Sequence, residues 1–172
     1  MNRIFKYRVF LSHSSKDQDM VEQIYKAIVQ LGMHCYVDNR DQRAGEYIPQ
    51  ILKDEIDDCH ILVAVYSMDG YASHWVHEEV GMAYYADKKI IAICTPDIRL
   101  GELQTQIGKK VIIIRSDAPE EAIKQLVDNL GRLRLRHQLK LVVFAIGVFI
   151  LWRYIKKSNR GTAGNEYSTM NH

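Results

Sequence analysis

The stretch His60-Ile-Leu-Val-Ala-Val-Tyr66 is apolar at nearly every position, and that pattern leaves the chain few folds. A half-buried strand alternates apolar and polar residues, whereas an unbroken short run marks a strand covered on both faces. Four further runs share this character: residues 7–12, 34–37, 90–94 and 111–114. The segments between them carry helical periodicity instead. Val21, Ile24, Ala27, Ile28 and Leu31 recur on one face and stop at Gly32; Ile48, Ile51, Leu52 and Ile56 form a second series. A third helix is expected from about Ser73 to Ala86, after a break at Ser67-Met-Asp-Gly70. A fourth opens at Pro119 and continues through Ala122, Ile123, Leu126, Val127 and Leu130. Residues 12–17 form a loop rich in N-cap residues, and residues 95–108 carry only a weak pattern.

Strands alternating with helices predict a doubly wound, flavodoxin-like α/β domain: a five-stranded parallel sheet with helices on both faces. Ligands of such sheets bind beyond the carboxyl ends of the strands, where the strand order reverses. That rule selects the loops after Ser12, Val37 and Tyr66 before any motif is considered.

The chain has 172 residues, enough for one domain and an appendage, and its 47% apolar and 26% charged residues suit a globular protein. The expected division is a domain over 1–131, a basic and apolar helix over 132–157, and a disordered tail over 158–172. Cys35, Cys59 and Cys94 are widely spaced and lack ligand spacing, so no metal site is expected and a reducing compartment is. The N-terminal residues show no uninterrupted apolar stretch of signal-peptide length, which favours a cytoplasmic domain. Net charge is +2, yet residues 132–160 hold eight Lys or Arg and no Asp or Glu. That basic end flanks an apolar run and points to an anionic membrane surface, with no nucleic-acid partner.

The run is bounded by Leu139 and Ile155, and residues 141–152 contain no charge. A helix apolar on all sides must be buried in a bilayer, in an oligomer or in a core. A single C-terminal membrane span is expected first, with Lys140 and Arg153 snorkelling and Trp152 and Tyr154 at the interface.

Three boxes resemble a known family. Val9-Phe-Leu-Ser-His-Ser-Ser-Lys-Asp17 is similar to the first box of TIR (Toll/interleukin-1 receptor) domains. Residues 38–46, ending in Ala44-Gly45, resemble their loop after the second strand, and Tyr71-Ala-Ser-His-Trp-Val-His-Glu-Glu-Val80 resembles the box joining tryptophan to glutamate. The resemblance runs from residue 7 to about 130. It implies cleavage of the nicotinamide–ribose bond of NAD, as substrate and without a further cofactor, to give ADP-ribose or a cyclic isomer. By position it implies Glu79 as the catalytic carboxylate, with Trp75 one helical turn before it and Glu78 turned about 100° away. Ser12 and His13 at the end of the first strand, and Asp38, Arg40 and Arg43 on the second loop, are the candidate substrate contacts. Ala83 and Gly81 are expected to let the helix approach the sheet.

The chemistry is compatible with one carboxylate. Nicotinamide leaves NAD neutral, so no acid need protonate it, unlike an ordinary glycoside. An anion suffices to stabilise the oxocarbenium cation. The same resemblance implies homotypic TIR–TIR self-association and a role in immune or cell-death signalling. Two other readings stay open: a non-catalytic TIR scaffold, and a nucleoside deoxyribosyltransferase-like enzyme, which Glu79-x-Gly-x-Ala83 also resembles. A phosphate-accepting receiver, a flavodoxin and a Walker-type nucleotidase lack their signature residues.

Overall fold

The computed structural model describes residues 6–37, 48–99 and 111–162, with backbone alone at 48–49 and 157–162. The chain divides into two compact units, Met1–Gly131 and Arg132–His172.

The first unit holds β1 (Arg8–Ser12), α1 (Gln18–Gln30), β2 (His34–Val37), α2 (Ile48–Asp58), β3 (Ile61–Tyr66), α3 (Met68–Ala72), α4 (His74–Tyr85), β4 (Lys89–Cys94) and β5 (Val111–Arg115). A last helix, α5 (Pro119–Thr162), begins in this unit and continues into the second. The five strands are parallel in the order β2-β1-β3-β4-β5. The chain leaves β1 for one edge and returns to β3 on the other side, so the order reverses between β1 and β3. This is the doubly wound sheet that the apolar runs predict.

Both faces of the sheet are covered. Phe10, Leu62, Ala64, Tyr66, Ile90 and Ala92 pack with Leu52 and Ile56 of α2 and with Val76, Val80 and Ala83 of α4. The intervening residues Val9, Leu11, Ile61, Val63 and Val65 are equally buried and face the other way. Helix α1, which packs on β1 and β2, buries Val21, Ile24 and Ile28. Each such side chain contributes about 1.5–3 kcal/mol when removed from water. Gly32, at φ 70°, ends α1 with its amide on the Val29 carbonyl at 2.8 Å, a conformation that a Cβ disfavours.

At the amino end of β1, Arg8 is buried and is held by Glu55 at 2.6 Å and Asp58 at 3.1 Å, both on α2. Two partners satisfy a guanidinium that burial would otherwise penalise. The pair fixes α2 against the amino end of β1.

Two local expectations change. Residues 67–70 do not form an open break, because Ser67 caps a short helix there, α3. The last helix runs through Gly131, since glycine lowers helix propensity without blocking it and no neighbour lies within 4 Å of its Cβ position. That helix also runs to Thr162, past the tail expected from Ser158, because no proline intervenes. The loop over residues 38–46, the weak segment over 100–108 and the last residues from 163 lie outside the described residues.

Candidate active site

Ser12 is the last residue of β1, at the carboxyl edge where the strand order reverses, and it is fully buried. Helix α4 packs over this edge against β1, β3 and β4. Its start is set by Ser73, whose extended backbone and hydroxyl cap the Val76 amide at 3.5 Å. From that start the register places Val76, Glu79, Val80 and Ala83 inward. Glu79 is thereby the one acidic side chain among the buried residues described, at 1% exposure, and the Ser12 hydroxyl donates a hydrogen bond to its Oε2.

A buried carboxylate is costly unless hydrogen-bonded, and apolar packing alone would be served better by leucine at this position. The pairing joins two residues 67 positions apart in sequence. Glu78 points outward and lies 2.9 Å from His74 Nε2 in an exposed contact. The structure therefore separates the two adjacent glutamates as the helical wheel predicts.

Trp75, one turn before Glu79, is 51% exposed, and its ring lies 6.3 Å from that of His74. His13 is half-buried on the loop after Ser12. Asp38, Arg40 and Arg43 lie outside the described residues. Gly81 makes no close approach, having open space at its Cβ position, whereas Ala83 is fully buried; only the alanine serves the helix–sheet contact.

Lys16 and Asp17 of the first box are used structurally, a role that the motif alone does not disclose. Asp17 stands at the start of α1 but makes no side-chain cap there. Its Oδ2 instead accepts from Ser67 Oγ at 2.9 Å, and Ser67 Oγ accepts from the Gly70 amide at 2.9 Å. A Cβ on Gly70 would lie 2.3 Å from the Val65 carbonyl oxygen and 3.4 Å from Asp17 Oδ2. Lys16 adds an exposed contact to Asp69 at 2.8 Å. The loop after β1 is thus tied to α3. His77 on α4 reaches back to the Tyr71 carbonyl at 2.7 Å and joins α3 to α4.

Tyr66 and Cys94 end β3 and β4 side by side in the register. Burial raises the Tyr66 hydroxyl well above the usual phenol range, with Cys94 and Tyr71 adding to the effect. Burial also pushes the Cys94 thiol up to about 11, against a smaller opposing pull from Arg115. A thiol held protonated is a poor nucleophile at neutral pH.

The TIR domain family profile matches residues 9–127. A protein of Cytobacillus dafuensis described as a candidate cyclic ADP-D-ribose synthase is 30% identical over 103 residues, covering 56% of this chain and 27% of that protein. A Brachypodium distachyon protein described as a candidate 2' cyclic ADP-D-ribose synthase is 27% identical over 90 residues, covering 51% of this chain and 40% of its own length. The chain thus spans well under half of either relative. Among solved structures, the TIR domain of a Toll-related receptor from Hydra magnipapillata superposes with TM-score 0.56 at 14% identity, over 73% of this chain and 96% of that one. A CMP N-glycosidase of Clostridium botulinum superposes with TM-score 0.52 at 23% identity, over 69% and 97% respectively. With its profile match running from β1 into α5 and its parallel sheet shared with solved TIR structures, this chain belongs to the TIR domain family.

Proposed function

We propose that the protein is an NAD glycohydrolase or cyclase that breaks the nicotinamide–ribose bond, with Glu79 as its catalytic carboxylate. The observation that carries this reading is the buried Ser12–Glu79 hydrogen bond at the strand-order reversal. The two relatives described as cyclic ADP-D-ribose synthases support the same chemistry.

In this mechanism the C1′–N bond breaks with its electron pair moving onto the nicotinamide nitrogen, so the cationic ring leaves neutral. The ribose is left as an oxocarbenium cation beside the Glu79 carboxylate, which stabilises it by charge in a site of low dielectric. Water attacking C1′ and losing a proton gives ADP-ribose. Capture by a nucleophilic atom within the same nucleotide gives a cyclic isomer. Ser12 holds the carboxylate ready and yields its hydrogen bond to the ribose hydroxyls, while Trp75 offers a stacking face for an aromatic ring. His13, Asp38 and Arg43 are assigned to substrate binding as well. Homotypic TIR–TIR association completes the site, and the role is signalling in immunity or cell death.

A second reading is favoured by one observation: Glu79 is only 1% exposed and already satisfied by Ser12, as a purely structural residue in a TIR scaffold would be. One assay separates the two. The purified full chain is incubated with NAD over a dilution series, products are resolved by chromatography, and Glu79→Gln is run alongside. The expected result is nicotinamide release that falls at least 100-fold in the variant (about 2.7 kcal/mol of barrier) and drops per protomer on dilution. No turnover at any concentration, with the fold intact, assigns the scaffold. Transfer of deoxyribose from a deoxynucleoside to a free base, with NAD left intact, assigns the deoxyribosyltransferase-like chemistry.

A further inference from the structure

Within the second unit, the large apolar side chains between Leu139 and Ile155 are 50–73% exposed. One window of this helix has mean hydropathy 1.7 and none of it is buried. A surface of that kind does not remain in water. Its chemistry distinguishes the occupants. An interfacial helix, or one stripe of an oligomer, keeps a polar face, and residues 141–152 have none. Close helix–helix packing uses repeated small residues, whereas this segment has Phe144, Phe149, Ile150, Leu151 and Trp152, with only Ala145 and Gly147 small. Cations bound it at both ends with no acidic residue between: Arg136 and Lys140 before it, Arg153 and Lys156 after it. The Lys156 ammonium sits 4.9 Å above the Trp152 ring, which places indole and cation together as at a headgroup boundary.

The length then becomes decisive. Twelve uncharged residues, 141–152, rise about 18 Å, against a hydrocarbon core of about 30 Å. Lys140 and Arg153 must snorkel to make up the difference. Helix geometry makes the two ends unequal, because each Cα–Cβ bond tilts towards the helix N-terminus. The Lys140 stem therefore leans out of the span, while the Arg153 stem leans back into it. We infer that residues 139–155 form a short bilayer span that selects thin membranes with anionic headgroups, and that Arg153 sets the limit on thickness.

The test reconstitutes the full chain into vesicles of short-chain or long-chain phosphatidylcholine, each with and without phosphatidylglycerol. Retention after alkaline carbonate is the readout. Retention is expected to be highest in thin anionic vesicles and to fall about tenfold in thick ones. Arg153→Leu, which lengthens the uncharged run to residues 141–155 and about 22 Å, should weaken that thickness dependence, and Lys140→Leu should leave most of it. Carbonate release from thin anionic vesicles, equal retention at all thicknesses, or an unchanged slope in Arg153→Leu would each overturn the inference. So would a soluble oligomer that ignores vesicles. Because only membrane retention is read, failure here is distinguishable from failure of the NAD-cleaving assignment.

Discussion

At the scale of single residues, adjacent positions carry opposite duties. Glu78 and Glu79 are chemically identical, yet one is exposed beside His74 and the other is buried on Ser12. Gly70 shows the same dependence on place. It sits in a short helix where any Cβ would collide with the rigid Val65 carbonyl. Gly70→Ala is therefore expected to destabilise the first unit by about 1–3 kcal/mol, despite the higher helix propensity of alanine. Thermal unfolding checks this: a variant that melts at or above wild type would show that α3 shifts without cost.

At the scale of elements, the loop after β1 and helix α3 behave as one piece through Asp17, Ser67 and Gly70. Asp17→Ala removes the acceptor for the Ser67 hydroxyl, leaving Ser67 free to turn away from the Gly70 amide. A loss of about 1–2 kcal/mol is expected, with faster hydrogen exchange at Gly70 and Tyr71, whose amides both bond to Ser67. Exchange unchanged at these two amides would mean that the cap stands without the aspartate. The Arg8 pair with Glu55 and Asp58 anchors α2 at the opposite end of β1 and is independent of this piece.

At the scale of the whole molecule, burial governs the response to alkali. It lifts the Cys59 and Cys94 thiols from 9.0 to about 11, and both the Cys35 thiol and the Tyr7 phenol to about 12. The unfolded chain releases these protons first. Stability from this source is therefore complete below the unfolded thiol range near 9 and is lost as pH rises through 11–12. Denaturant titrations at mildly and strongly alkaline pH should show a fall on the order of a few kcal/mol. A flat profile would contradict the burial of these groups.

The sequence by itself determined the layered architecture, because unbroken apolar runs and helical periodicity record which faces are dry. It also placed Glu79 on a helix one turn after Trp75, because i and i+4 spacing is local geometry. Short boundaries were less legible: Ser67-Met-Asp-Gly70 resembles a break as strongly as a capped turn of helix. The tertiary structure alone decided that Ser12 meets Glu79, that Asp17 serves α3 and not its own helix, and that the glutamate is buried. Those facts depend on which strands are neighbours and how a helix lies across them. No residue encodes such contacts by itself, because their partners are brought together only when the sheet is wound.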